Sequence, residues 1–139
     1  MKANELMIGD LVYYSYLNQF VTKVIDVCSH GEEPFIRCQR DPKDKLYVPG
    51  KFEDFHVDIL SPIPLTSEIL EKNAFLVDSN GIFYLKENLK FGLIKDIDYG
   101  YWFAYRSNNE YICTCDFVHE LQHLLKTCKI EKEIILEEQ

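Results

Sequence analysis

The residues with the clearest chemical potential are His119-Glu120-x-x-His123. Histidines four apart share one helical face and can both reach a Zn²⁺ ion, and a neighbouring glutamate can act as general base on metal-bound water. A third ligand would have to come from elsewhere, with Glu131, Glu133, His56 and Asp116 as the candidates. The chemistry would be that of a minimal zinc-dependent hydrolase. Helix geometry argues against it. Stepping about 100° per residue from Phe117 puts Leu121, Leu124, Leu125 and Cys128 within one apolar stripe, and sets His119 and His123 at roughly 200° and 240°. Both imidazoles are thus predicted to face solvent, almost opposite the stripe. Only 16 residues follow His123, too few for a further ligand helix. The expectation is no catalytic residue, no metal ligand and no cofactor. Glu120 as base, with zinc on His119 and His123, is the alternative.

A second group of residues could carry binding rather than catalysis. Tyr99, Tyr101, Trp102, Phe103 and Tyr105 crowd one predicted strand and its entry turn. Alternation puts Tyr101, Phe103 and Tyr105 on one face and Trp102, Ala104 and Arg106 on the other. Both faces are partly apolar, so the strand is either central or meets a partner. Aromatic side chains beside arginine are enriched at interfaces, and Trp102, Tyr101, Tyr105 and Arg106 are the expected contact residues for a protein partner or a homo-oligomer. Tyr13, Tyr14 and Tyr16 read as core and rim of another strand.

These residues need elements to position them. Short strands are expected at 11–17, 20–27, 35–39, 45–48 and 56–60, at the spacing of a small barrel or sandwich. Pro62 and Pro64 interrupt any helix and mark a junction. Thr66 is placed to cap a short helix over 67–72, with Ile69 and Leu70 as buried anchors and Asn73 at its end. Strands follow at 75–78, 82–86, 91–96, 101–106 and 111–115, the first pair joined through Asn80-Gly81. Asp116 is expected to cap the main helix, 117–129, and a last strand is expected over 133–136. The fold class is α+β: a small all-β lobe over 1–65, then over 66–139 a short helix and an antiparallel β-meander packed on one amphipathic helix.

Composition narrows the function classes. Against 23 acidic residues stand 15 basic ones, a formal net charge of −8, which disfavours nucleic acid and anionic membranes as partners. The longest apolar run, Tyr101 to Tyr105, is far short of the roughly 20 residues of a membrane helix. The first residues lack the apolar run of a secretion signal. Five cysteines, an odd count without recurrent spacing, point to reduced thiols and a cytoplasmic setting. Cys113-Thr114-Cys115 is one residue too tight for a zinc hairpin.

Two resemblances add to this. Ile8-Gly9-Asp10-Leu11-Val12 followed by Val21 to Val27 resembles the opening hairpin of SH3-like small barrels, which implies that fold for the first lobe. Three blocks, Met1-Lys2-Ala3-Asn4-Glu5-Leu6-x-Ile8-Gly9, Pro62-Ile63-Pro64-Leu65-Thr66-x-Glu68-x-Leu70 and Val118-His119-x-Leu121-Gln122, resemble short proteins of Bacteroides-type gut bacteria encoded near prophage or mobile elements. That family implies an accessory role and lends no catalytic residues. Where its pattern has Gly after the asparagine, this chain has Ala74, and Glu120 and His123 depart from its helix motif. The sequence thus favours a non-enzymatic cytoplasmic protein-interaction module, with the zinc hydrolase as the alternative.

Overall fold

The computed structural model describes residues 5–14, 20–28, 35–40, 50–106 and 110–136. The chain divides into two compact units, residues 1–63 with 136–139, and residues 64–135.

The first unit is a five-stranded antiparallel sheet: β1 (Leu11–Tyr14), β2 (Phe20–Cys28), β3 (Phe35–Arg40), β4 (Glu53–His56) and β5 (Leu60–Ser61). Their spatial order is β4-β3-β2-β1-β5. That order dictates a curl. In a flat sheet β4 and β5 would lie four strand spacings apart, about 19 Å. Yet only the single 3-10 turn Val57–Ile59 joins them, and three residues of such a turn rise about 6 Å. The sheet therefore rolls into a half-barrel. Its buried core is apolar, with Val12, Val24, Ile36, Cys38, Phe55 and Leu60 all buried. Residues Gly9 and Asp10 start β1: the Gly9 amide donates to the Val24 carbonyl, and the buried Asp10 carboxylate accepts from the Met7 amide at 2.8 Å. The strand expected over 45–48 lies outside the described residues. The extended piece expected over 56–60 is instead the end of β4, the 3-10 turn and the start of β5.

The second unit begins at Pro64. Thr66 caps α1 (Ser67–Lys72), its hydroxyl accepting from the Ile69 amide at 3.2 Å. Leu70 is fully buried and Ile69 half-buried. After Asn73, Ala74 takes φ 67°, a left-handed conformation that suits glycine. Five strands follow as an antiparallel meander in chain order: β6 (Phe75–Val77), β7 (Phe83–Leu85), β8 (Asn88–Lys95), β9 (Trp102–Arg106) and β10 (Glu110–Thr114). The main helix, α2, is Val118–Thr127. Phe75, Leu85, Phe91, Leu93, Trp102 and Ala104 from the sheet, with Val118, Leu121, Leu124 and Leu125 from α2, form the buried interior.

Three expectations in this unit need correction. Asp116 does not cap α2. Its Oδ1 accepts from the Trp102 amide at 3.0 Å, and the cap comes from inside the helix, where Glu120 Oε1 accepts from the Asp116 and Phe117 amides at 3.0 and 3.2 Å. The expected strand over 133–136 is not formed. Instead, the Asn73 side chain grips Ile135 as a strand neighbour would, donating to its carbonyl at 2.8 Å and accepting from its amide at 2.7 Å. Nor is His119 solvated: it is buried.

Candidate functional site

The two sequence-derived sites fare differently. In α2, His119 is only 5 % exposed, not solvated as the helical wheel required. Its ring lies nearly parallel to that of Phe117, centroids 6.0 Å apart and planes inclined by 13°, and meets the edge of the His123 ring at 5.7 Å. The wheel treats side chains as radial spokes. It misses ring contacts between residues two and four apart, such as those His119 makes with Phe117 and His123. His123 is half-buried. Glu120, the residue a metallohydrolase would use as base, spends its carboxylate on the two amides at the head of the helix. Of the candidate third ligands, Asp116 is committed to the Trp102 amide, and the His56 ring accepts from the Asp58 amide at 3.3 Å. Among the described residues no group of three or more His, Cys, Asp or Glu side chains is placed to hold a metal ion.

Three of the described thiols, Cys38, Cys113 and Cys115, are shifted away from activation. Burial pushes Cys38 up to about 12, and burial likewise raises Cys113 and, further, Cys115. A thiol held protonated is a poor nucleophile and a poor ligand.

The aromatic strand does assemble a surface, but not around Trp102. That residue is 2 % exposed, its indole Nε1 donates to the Leu65 carbonyl at 3.0 Å, and its ring meets Phe83 edge-on at 5.6 Å. Its backbone also binds Asp116 and Cys115, so it ties the junction segment to the sheet. Trp102 is thus an interior anchor and not a partner contact. The face opposite is the open one. Register places Leu76, Tyr84, Gly92, Tyr105 and Tyr111 in one row across β6, β7, β8, β9 and β10. The Tyr105 and Tyr111 rings pack at 6.1 Å, and Phe103 meets Tyr111 at 5.9 Å.

Gly92 is the gap in this row. A Cβ there would come within 3.0 Å of the Ile82 side chain, so the glycine lets Ile82 lie across the strand. Around it opens a hollow of about 740 Å³ lined by Ile82, Tyr84, Leu89, Gly92, Ile94 and Tyr105, with Asp78, Lys90 and Arg106 among its polar residues. That volume lies within the range typical of small-ligand and peptide-side-chain pockets, roughly 300–1,000 Å³. A smaller hollow of about 340 Å³ adjoins it, sharing Lys90, Phe91 and Arg106 and reaching the end of α2 at Cys128 and Lys129. Tyr101 and Tyr111, each about half exposed, and Leu89, 71 % exposed, continue the apolar surface.

Of the four expected contact residues, Tyr105 lies on this face, with Tyr101 at its margin and Trp102 beneath it, while Arg106 alternates to the other side, lines the hollow from the strand end and sets its Nη2 4.0 Å from the Cys128 sulfur. Sequence reasoning missed Tyr84, Gly92 and Leu89. Gly92 within the expected strand over 91–96 was the available signal, since a glycine inside a strand marks a close backbone approach. The chain matches no family model, and neither a curated protein nor a solved structure matches it.

Proposed function

We propose that this protein is a non-enzymatic interaction module, working in the cytoplasm through protein–protein contacts made by the outer face of its second sheet. The observation that carries this reading is the row Leu76, Tyr84, Gly92, Tyr105 and Tyr111. A one-sided antiparallel sheet ordinarily alternates apolar inward with polar outward. Here the outward side is apolar and aromatic as well, and it encloses a hollow. Contiguous apolar surface of this kind marks contact sites on soluble domains. Tyrosine suits such contacts because it offers a large rigid area with a polar end at low entropic cost.

For the first unit we infer an SH3-like small barrel. The rolled five-stranded order and the Gly9-Asp10 start of β1 support it. The resemblance to proteins encoded near mobile elements favours an accessory role for the whole chain.

The test is a photo-crosslinking phenylalanine analogue at Tyr111, with a control at the exposed Glu68 on α1. Ultraviolet light should give a discrete protein adduct from position 111, in cells or with purified protein, and none from position 68. Tyr105→Asp should abolish it. No adduct from position 111, or equal adducts from both positions, refutes the reading.

A further inference from the structure

We propose that the occupant of this face is a second copy of the same chain, docked so that the β8–β9 hairpin tip of each copy fills the hollow of the other. This rests on the reading of the outer sheet face as a protein contact surface. The tip carries two strongly exposed apolar residues, Ile97 at 96 % and Tyr99 at 75 %. It is a built turn: Asp96 Oδ1 accepts from the Asp98 and Tyr99 amides at 2.8 and 3.1 Å, and the Gly100 amide donates to the Asp96 carbonyl. Asp96 thus spends one carboxylate oxygen on the turn, whereas the Asp98 carboxylate makes no hydrogen bond or ion pair with another described residue. The tip therefore presents an isoleucine, a tyrosine and a free negative charge.

The hollow presents the complement. Its walls are Ile82, Tyr84, Ile94 and Tyr105, and the cations Lys90 and Arg106 sit beside them. The acid among its lining residues, Asp78, turns its Oδ1 back onto the Asn80 and Ile82 amides. In a chain of net charge −8, an apolar hollow whose lining carries two cations and one carboxylate is locally net positive and favours an apolar, anionic occupant. The tip has that chemistry.

Geometry favours closure over a filament. The tip and Gly92 at the hollow's floor lie on one hairpin: Ile97 is five residues from Gly92, at most about 16 Å away. A two-fold axis between them sets each tip over the other copy's hollow simultaneously, so both complementary pairs form in one isologous dimer. Tyr101, on the same strand face by alternation with Phe103 and Tyr105, falls within the covered area.

Sedimentation of the full chain from micromolar to near-millimolar concentration tests this. A reversible dimer is expected, with Ile97→Ser, Lys90→Glu and Asp98→Lys each raising the dissociation constant at least tenfold. The double variant Lys90→Glu with Asp98→Lys should recover most of the loss. All three positions are exposed, and circular dichroism checks that each variant folds. A monomer at every concentration, a dimer indifferent to Ile97→Ser, or a double variant weaker than both singles overturns the proposal. If the chain stays monomeric while position 111 still crosslinks to a different protein, the second copy is excluded and the contact-surface reading stands. If position 111 crosslinks to nothing, both fall.

Discussion

The outward surfaces of the two sheets solve the same problem in opposite ways. On the first, Arg37 lies directly across from Asp54 in the β3–β4 ladder, and the two form a forked ion pair at 2.8 and 3.2 Å. The same guanidinium covers the Phe52 ring at 4.2 Å. Charge answers charge, and the exposed aromatic is roofed by a cation. On the second sheet the corresponding positions are Tyr84, Gly92, Tyr105 and Tyr111, and Lys90 stands at the rim without an ion-pair partner among the described residues. Where a sheet's surface side chains answer one another in this way, less is left to offer another molecule, and this difference is why we propose the second surface for contact.

The comparison can be broken most forcefully from beneath. Trp102→Ala should destabilise the second unit by about 3–5 kcal/mol, through lost burial and an orphaned Leu65 carbonyl. Tyr111→Ser, on the opposite face of the neighbouring strand, should change stability by less than about 1 kcal/mol while weakening association. Urea denaturation followed by circular dichroism separates them, since Trp102 is the chain's one tryptophan and fluorescence is lost with it. Equal losses would mean that the outer aromatic row is structural and not a contact surface.

A smaller effect probes the first unit through pH. Burial raises Cys38 to about 12 from its ordinary 9.0, so the folded state holds the proton that the unfolded chain gives up. The thiol's stabilising contribution is complete below about pH 9 and is lost as pH rises toward 12. Urea midpoints measured across that range should fall, and Cys38→Ala should flatten the slope while lowering stability near neutrality. A slope unchanged by the substitution would exclude the thiol as its source.

The smallest effect belongs to the surface pair. The Arg37 hydrogen bonds hold Asp54 below the usual carboxylate range, and Asp54 in turn raises Arg37. Asp54 lends stability that is present above its unfolded pKa and lost as acid protonates it. Because both groups are exposed, Asp54→Asn should shift the acid limb of the stability profile only slightly, and still less in high salt. A large or salt-insensitive shift would show that the first surface depends on this pair more than its exposure allows.

Much of the architecture was legible because the local signals were strong. Thr66 before an apolar pair, Asn80-Gly81 between strands and the alternation through Trp102 to Arg106 each act within a few residues, where propensity and periodicity operate. The errors arose where a side chain answered a distant need. Asp116 has the right chemistry for a cap, yet the Trp102 amide, fourteen residues away, claims it. Trp102 looked like a contact residue because nothing in the sequence says which side of a doubly apolar strand is inward. His119 looked solvated because periodicity cannot register Phe117 lying flat against it. Ala74 shows the converse. Its left-handed φ of 67° is one that glycine adopts without cost, yet the chain carries an alanine there.

The clasp between Asn73 and Ile135 has a consequence for the order in which this protein is made. Its two ends are 62 residues apart, with the whole meander and α2 between them. As the chain leaves the ribosome, α1 and the first hairpins can form from neighbouring residues alone. The Asn73 side chain, buried in the finished unit, has the Ile69 carbonyl as a local partner for its amide but lacks both Ile135 partners until that residue emerges. Synthesis therefore reaches the last strand and helix before the second unit can close, and for that interval its aromatic interior is open to chaperones and proteases.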